Sequence, residues 1–222
     1  MRLFFLLLFV TSLLFAADKK VLLEIDFTKH TTDDAIALLA SKGFEFLLDV
    51  DKIDFKLSKN GLELETDTKA AVLFGIHLKK PIENVTSVSI EWGVERFPKN
   101  ANWEEGNNRV ALGAILVFGE EKFASGLPII APRAPYFFGP FIGEHEKVGK
   151  LYLGKLYKKA GRYYCVSNIK GFVHTEFDAE KRFYENFDKP IPPLVAFAFQ
   201  MNTKNTQGGA KAFIRKIVFY GK

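Results

Sequence analysis

Apolar and polar residues alternate along most of this chain, and a period of two is typical of half-buried β-strands. The alternation is clearest over residues 21–27, 72–78 and 88–94. Residues 109–118 form a longer and more apolar run, which predicts a central strand covered on both faces. Further strands are predicted over residues 151–157, 162–169, 195–201 and 211–220. With roughly ten or more strands, the pattern indicates an all-β protein.

One turn is predicted in detail, because Asn60-Gly61 is a favoured sequence for a type I′ β-hairpin. The flanking strands are predicted over residues 54–59 and 62–66. A two-residue loop at Asn60-Gly61 pairs Leu57 with Leu64, which leaves both leucines on one face of the hairpin. Turn chemistry and hydrophobic pattern therefore agree on this register.

Two short helices are predicted among the strands. Thr31 is the expected N-cap of the first, Gly43 is suited to its C-terminal stop, and Ile36, Leu39 and Ala40 would share its buried face.

The second helix would be capped by Asp178, with Phe183 and Phe187 one turn apart and Tyr184 beside them. Ile191-Pro192-Pro193 prevents the helix from continuing. The chain shows no internal repeat, linker or change of composition. We therefore predict one domain over residues 18–222, an antiparallel two-sheet sandwich of jelly-roll or concanavalin type.

The first seventeen residues have the pattern of a secretory signal peptide. Arg2 precedes a run of thirteen apolar or small residues, 3–15, and Ala16 and Ala17 come before a polar stretch. The run is too short for a membrane-spanning helix, which needs roughly 20 apolar residues. We expect cleavage after Ala16 or Ala17, a periplasmic or secreted location, and no membrane span in the mature chain.

Composition adds two constraints. The net charge is +5 with both signs interspersed, so no basic stripe indicates nucleic-acid binding. The single cysteine, Cys165, excludes an intramolecular disulfide, and its alternating surroundings predict a buried strand thiol. The fold must then be held by its own core, for which 23 phenylalanines supply large apolar side chains.

Two long predicted loops, 96–108 and 127–149, carry the candidate chemistry. Aromatic rings beside amides suit a sugar, which needs an apolar surface with polar partners at its edge. The candidate ligand-binding residues in these loops are Trp103, Asn107, Asn108, Tyr136 and His145. The alternative is that Phe137, Phe138 and Phe141 simply pack the second loop onto the sandwich.

The same loops hold the only carboxylates that could cleave a glycosidic bond. A retaining enzyme needs two carboxyl groups about 5–5.5 Å apart. Glu104 or Glu105 with Glu144 or Glu146 is the pairing that the sequence offers. No nucleotide-binding, hydrolase or metalloprotease motif is present, and no metal or cofactor is predicted.

Residues 88–220 resemble a bacterial family of exported proteins known only as a domain of unknown function. The similar segments are the Trp92 strand with Phe97-Pro98, residues 108–118, residues 176–187 and the loop 201–208. The resemblance implies a β-sandwich and no established activity. Asn108-Arg109 and Asn202-Thr203-Lys204 stand where the family pattern has Asp-Asp and Asp-x-Asp, so any acidic site there would be lost. Asn202 and Asn205 of the last loop join the candidate ligand-binding residues.

Three functions fit these observations. The first is a non-catalytic binding module for carbohydrate or another component of the cell envelope. The second is a jelly-roll glycoside hydrolase or lyase that uses the loop glutamates. The third is a structural or interaction protein of the envelope, which would expose an apolar patch or an edge strand.

Overall fold

The computed structural model describes residues 19–126 and 132–222, so the predicted signal peptide and cleavage site lie outside the described residues. Two short α-helices, α1 (Ala35–Ser41) and α2 (Ala179–Phe187), accompany the strands. The strands are β1 (Lys20–Asp26), β2 (Glu45–Leu48), β3 (Asp54–Ser58), β4 (Gly61–Thr66), β5 (Ala71–Ile82), β6 (Val85–Arg96), β7 (Val110–Phe123), β8 (Ala134–Ile142), β9 (Leu151–Tyr152), β10 (Gly161–Ser167), β11 (Gly171–Asp178), β12 (Leu194–Asn202) and β13 (Ala210–Gly221). No helix among the described residues is long and apolar enough to cross a membrane.

The strands form two sheets, so the predicted β-sandwich is confirmed. The six-stranded sheet has the order β11-β6-β13-β4-β3, and β1 pairs with the second half of β13. The seven-stranded sheet has the order β2-β5-β12-β7-β8-β10-β9, which places β7 at its centre as predicted. Pairing is antiparallel except between β8 and β10, which run parallel.

The inward faces of both sheets meet in one apolar core that is rich in phenylalanine. Along β12, for example, Phe197, Phe199 and Met201 are buried while the residues between them are more accessible. Phe74 of β5 contacts Phe199 at 5.8 Å between ring centroids, and Trp92 of β6 lies in the same core. Burial of these large rings supplies the stabilisation that disulfides would otherwise provide.

The helices begin close to where the sequence predicts. Asp178 caps α2 by accepting a hydrogen bond from the Lys181 N–H over 2.9 Å, as predicted. The predicted cap of α1 is wrong, because Asp34 and not Thr31 accepts the N–H of Ala37. Thr32 is held in an extended bridge to Leu57, so the helix begins only after it.

Within α1 the buried residues are Ala35 and Leu39, whereas Ile36 and Ala40, both predicted for the buried face, are exposed.

The predicted hairpin exists, but its turn is displaced by one residue. Ser58 pairs with Gly61, so Lys59 and Asn60 form the turn and Leu57 faces Leu62. A type I′ turn needs positive φ at both central residues, yet the positive φ, +106°, belongs to Gly61. The displacement leaves the leucines on the predicted face.

Two other predictions are wrong in the second half of the chain. The expected loop 127–149 contains β8, a central strand whose rings Phe138 and Phe141 are buried; residues 127–131 are outside the described part. The expected strand 151–157 is limited to Leu151–Tyr152. Residues 154–157 instead form one wall of a groove.

Candidate functional site

The groove lies on the outward face of the seven-stranded sheet. Inward residues of β12 enter the core, so Gln200 and Asn202 point outward. Gly113 of the neighbouring β7 pairs with Gln200, and a Cβ on this glycine would lie only 3.2 Å from Nε2 of Gln200. The small residue therefore leaves the Gln200 amide room on the face.

The groove has a volume of about 600 Å³, which is in the range of small-ligand sites. Its lining combines aromatic rings, amides and two cations. The lining residues are Trp103, Asn108, Arg109, Val110, Gly154, Lys155, Leu156, Tyr157, Tyr163, Gln200 and Asn202.

A tight turn after β6 delivers Trp103. Asn102 and Asn107 exchange two backbone hydrogen bonds that close the turn, and Gly106 supplies a positive φ of +79° within it. The Trp103 backbone N–H donates to Oε1 of Glu146 over 2.8 Å, and its indole N–H donates to the Arg109 carbonyl over 3.1 Å. Trp103 is thus held both by its backbone and by its indole ring.

Aromatic rings support the indole from below. Trp103 stacks on Phe141 of β8 with 4.7 Å between centroids and an angle of 18°. The ring of Tyr163 on β10 lies 5.0 Å from the indole. Tyr163 also covers Gly139 of β8, where an added Cβ would be 2.3 Å from Cδ1 of the tyrosine. Gly139 is required for Tyr163 to lie flat on this face.

The opposite wall is the segment 154–157, which ends at Tyr157. Tyr157 has a φ of +57°, a conformation that a residue with a side chain rarely adopts. Its backbone N–H donates to the Ser125 carbonyl over 2.8 Å, and its hydroxyl donates to the Pro132 carbonyl over 2.8 Å. These bonds hold the wall in place against the backbone strain.

Four uncharged polar groups of the lining lack a partner among residues 19–126 and 132–222. They are the Tyr163 hydroxyl, the side-chain amides of Gln200 and Asn108, and Nδ2 of Asn202. Burial, with a smaller contribution from Tyr157, raises the pKa of Tyr163 to about 12. The phenol stays protonated near neutral pH, so it can donate as well as accept a hydrogen bond.

The structure brings three of the predicted ligand-binding residues, Trp103, Asn108 and Asn202, into this groove. Asn107 and Asn205 touch each other outside its lining, where Nδ2 of Asn107 donates to the Asn205 carbonyl over 3.0 Å.

The other two predicted residues lie elsewhere. Tyr136 is buried between the sheets, and its hydroxyl accepts from Nζ of Lys189 over 2.8 Å. His145 lies beside Glu144 at 3.5 Å. Because Trp103 and Tyr136 are both buried and belong to different clusters, the two predicted loops do not form one exposed aromatic surface.

None of the four candidate glutamates lines the groove. Glu146 is buried, and its oxygens accept the backbone N–H groups of Trp103, Glu144 and His145. Glu105 is exposed on the turn. The small space beside Glu144 and Glu146 measures about 10 Å³, room for about one water and not for a sugar.

Glu104 binds Nζ of Lys150 and accepts the Tyr152 hydroxyl over 2.5 Å. These two hydrogen bonds lower the pKa of the Glu104 carboxyl, whereas a general acid needs a raised pKa. The described residues therefore place no general acid in the groove.

Sequence reasoning missed Tyr163, Gln200, Arg109 and Lys155 as members of a site. One signal was available, because Gln200 is the only polar side chain in the otherwise apolar run 194–201. In a strand, residues two apart share a face, so Gln200 was expected on the same outward face as Ala196 and Ala198. Lys155, which the predicted strand 151–157 includes, is exposed and also lines the groove.

No family model and no curated protein sequence matches this chain, so its resemblance to the exported family of unknown function stays a prediction. Two solved carbohydrate-binding modules (CBMs) are similar to it. The apo form of BiXyn10A CBM1 is 10% identical with a TM-score of 0.37, covering 91% of this chain and 99% of that one. CBM86, a low-affinity xylan-binding module from the gut symbiont Roseburia intestinalis, is 10% identical with a TM-score of 0.33, covering 81% and 96%. Similarity this distant carries no argument about the ligand.

Proposed function

We propose that this protein binds a polysaccharide in the groove of the seven-stranded sheet and does not cleave it. The observation that carries the proposal is the set of four unpartnered polar groups beside the rings of Trp103 and Tyr163. Sugar rings present apolar faces and hydroxyl edges, which match aromatic rings and amides respectively. With the predicted signal peptide, the protein would meet its ligand outside the cytoplasm.

Binding without cleavage follows from the position of the carboxylates. Glycoside hydrolysis needs a pair of carboxyl groups on either side of the scissile bond. The described lining of the groove contains none, and both oxygens of Glu146 are occupied by backbone donors. A bound glycan would thus lie against amides, hydroxyls and rings.

The test is affinity electrophoresis of the mature chain through gels that contain plant, algal or bacterial polysaccharides, followed by calorimetry on the best ligand. We expect Tyr163→Phe and Gln200→Ala each to weaken binding about threefold to tenfold, since each removes hydrogen bonds worth about 0.5–1.5 kcal/mol. Tyr184→Phe and Gln207→Ala are the matched controls, because both side chains are exposed outside the groove.

Two results would contradict the proposal. One is that no polysaccharide retards the protein. The other is that Tyr163→Phe and Gln200→Ala bind like the unmodified chain. Loss of binding in Phe172→Ala would move the site to the six-stranded sheet, where Phe172 is exposed beside a second hollow of about 400 Å³.

A further inference from the structure

The groove carries positive charge that no protein carboxylate neutralises. Arg109 and Lys155 both line it, and neither forms an ion pair within the described part of the chain. The described lining contains no aspartate or glutamate. A ligand that fills this groove therefore meets two cations and no anion.

Arg109 is held in position by backbone carbonyls instead of carboxylates. Its Nε–H donates to the Lys204 carbonyl over 2.6 Å, and Nη1 donates to the Asn108 carbonyl over 2.9 Å. Nη2 of Arg109 has no hydrogen-bond partner among the described residues. A fixed guanidinium with free donors loses little conformational entropy when it binds a carboxylate.

Two carboxylates near the groove, Asp49 and Glu104, have cationic partners of their own. Asp49 lies 2.9 Å from Nζ of Lys204, the residue whose carbonyl holds Arg109. Glu104, on the same turn as Trp103, pairs with Lys150. Arg109 and Lys155 thus stay unpaired in the groove, beside the rings and amides that suit a sugar.

From this arrangement we infer that the ligand is an acidic polysaccharide, whose uronate carboxylates bind Arg109 and Lys155 while its rings contact Tyr163. This inference rests on the proposed function and adds the chemical class of its ligand. Charge-assisted hydrogen bonds to a carboxylate are roughly twice as strong as neutral ones. Acidic glycans should therefore bind more tightly than neutral glycans of the same backbone.

The experiment compares uronate polymers with their own uncharged forms. Polygalacturonate, alginate and glucuronoxylan are each titrated beside the same polymer after reduction of its carboxyl groups. We expect at least one acidic polymer to bind about tenfold or more tightly than its reduced form, with an affinity that falls as salt is added. Dextran sulfate is included to distinguish uronate recognition from attraction to any polyanion.

Three variants connect the preference to the groove. Arg109→Gln and Lys155→Gln should each reduce the ratio of acidic to neutral affinity about threefold or more. Lys158→Gln removes the same charge from an exposed neighbour that does not line the groove, and should leave the ratio unchanged. Lys155 is itself exposed, so its variant tests the inference even if Arg109→Gln loosens the loops, which a thermal melt would reveal.

The possible failures are distinguishable. Equal or tighter binding of the reduced polymers would overturn the acidic preference, and equal binding of dextran sulfate would overturn the recognition of uronates. Both results would leave polysaccharide binding in place. The acidic preference would also be overturned if Lys155→Gln and a folded Arg109→Gln each left the ratio of acidic to neutral affinity unchanged. If no acidic or reduced polymer binds, and the wider polysaccharide panel is negative as well, the proposed function fails together with this inference.

Discussion

At the scale of single residues, Glu146 illustrates how a buried carboxylate can act as a support. Its Oε1 accepts the N–H of Trp103 over 2.8 Å, and its Oε2 accepts the N–H groups of Glu144 over 2.9 Å and His145 over 3.1 Å. Three backbone donors of two loops thus share one side chain. The carboxylate fixes the turn that presents Trp103 to the groove.

Replacing this carboxylate by an amide tests that role. In Glu146→Gln one oxygen becomes an NH₂ group, which cannot accept the backbone N–H that it faces. We expect a loss of about 2 kcal/mol of unfolding free energy, since a buried donor loses its charged partner. Urea denaturation measures the loss, and Glu105→Gln, an exposed change on the same turn, should stay within about 0.5 kcal/mol. Equal midpoints for the two variants would contradict the supporting role.

Cys165 gives a second prediction, on pH. Burial raises the pKa of its thiol from 9.0 to about 11. Between these values the folded chain holds the proton more tightly than the unfolded chain, so the contribution of Cys165 to stability falls as pH rises from about 9 to 11. Because the thiolate is the reactive form, iodoacetamide at pH 9 should label the native thiol at least about fiftyfold more slowly than the urea-unfolded thiol. Similar rates would show that the thiol is accessible.

At the scale of elements, the strands that alternate in the sequence are the ones that could be predicted. Alternation is a local signal of burial on one face, and β12 and the first half of β13 retain it in the sandwich. The strand β8 was missed because prolines argue against a central strand. On one side, Pro140 pairs with Tyr164 of β10. On the other side, Pro140 lies in a gap in the pairing with β7, between the pairs Gly113–Phe141 and Leu116–Phe138.

The β3–β4 hairpin allows a direct test of its corrected register. Gly61 has a φ of +106°, and a Cβ there would lie 2.3 Å from the Ile214 carbonyl oxygen of β13. Gly61→Ala should therefore lower the unfolding free energy by at least about 2 kcal/mol. Asn60→Ala should change it by less than about 1 kcal/mol, because Asn60 is exposed and has no positive φ. A loss in Asn60→Ala as large as that in Gly61→Ala, measured by urea denaturation, would favour the type I′ turn at Asn60-Gly61.

At the scale of the whole molecule, the groove combines residues that are distant in sequence. Trp103 and Asn108 could be nominated because one aromatic- and amide-rich loop carries both. Tyr163 and Gln200 become their neighbours only through the strand order β12-β7-β8-β10, which no local pattern specifies. The same order buries Tyr136 on the inward face of β8, although the sequence placed it in a loop. Local composition thus identified one wall of the candidate site, and sheet topology determined the rest.

The last prediction concerns export, because the apolar core must keep the protein stable in the location that the signal peptide predicts. A chain with one cysteine gains no intramolecular disulfide outside the cytoplasm, so its Phe-rich core must be sufficient there. Expressed with its own leader in a bacterial host, the chain should appear outside the cytoplasm with residues 1–16 or 1–17 removed, as measured by intact mass. Leu7→Arg interrupts the apolar run and should leave the full-length precursor in the cytoplasm. An uncleaved unmodified chain, or equal export of Leu7→Arg, would contradict a signal peptide and leave the groove without access to an extracellular polysaccharide.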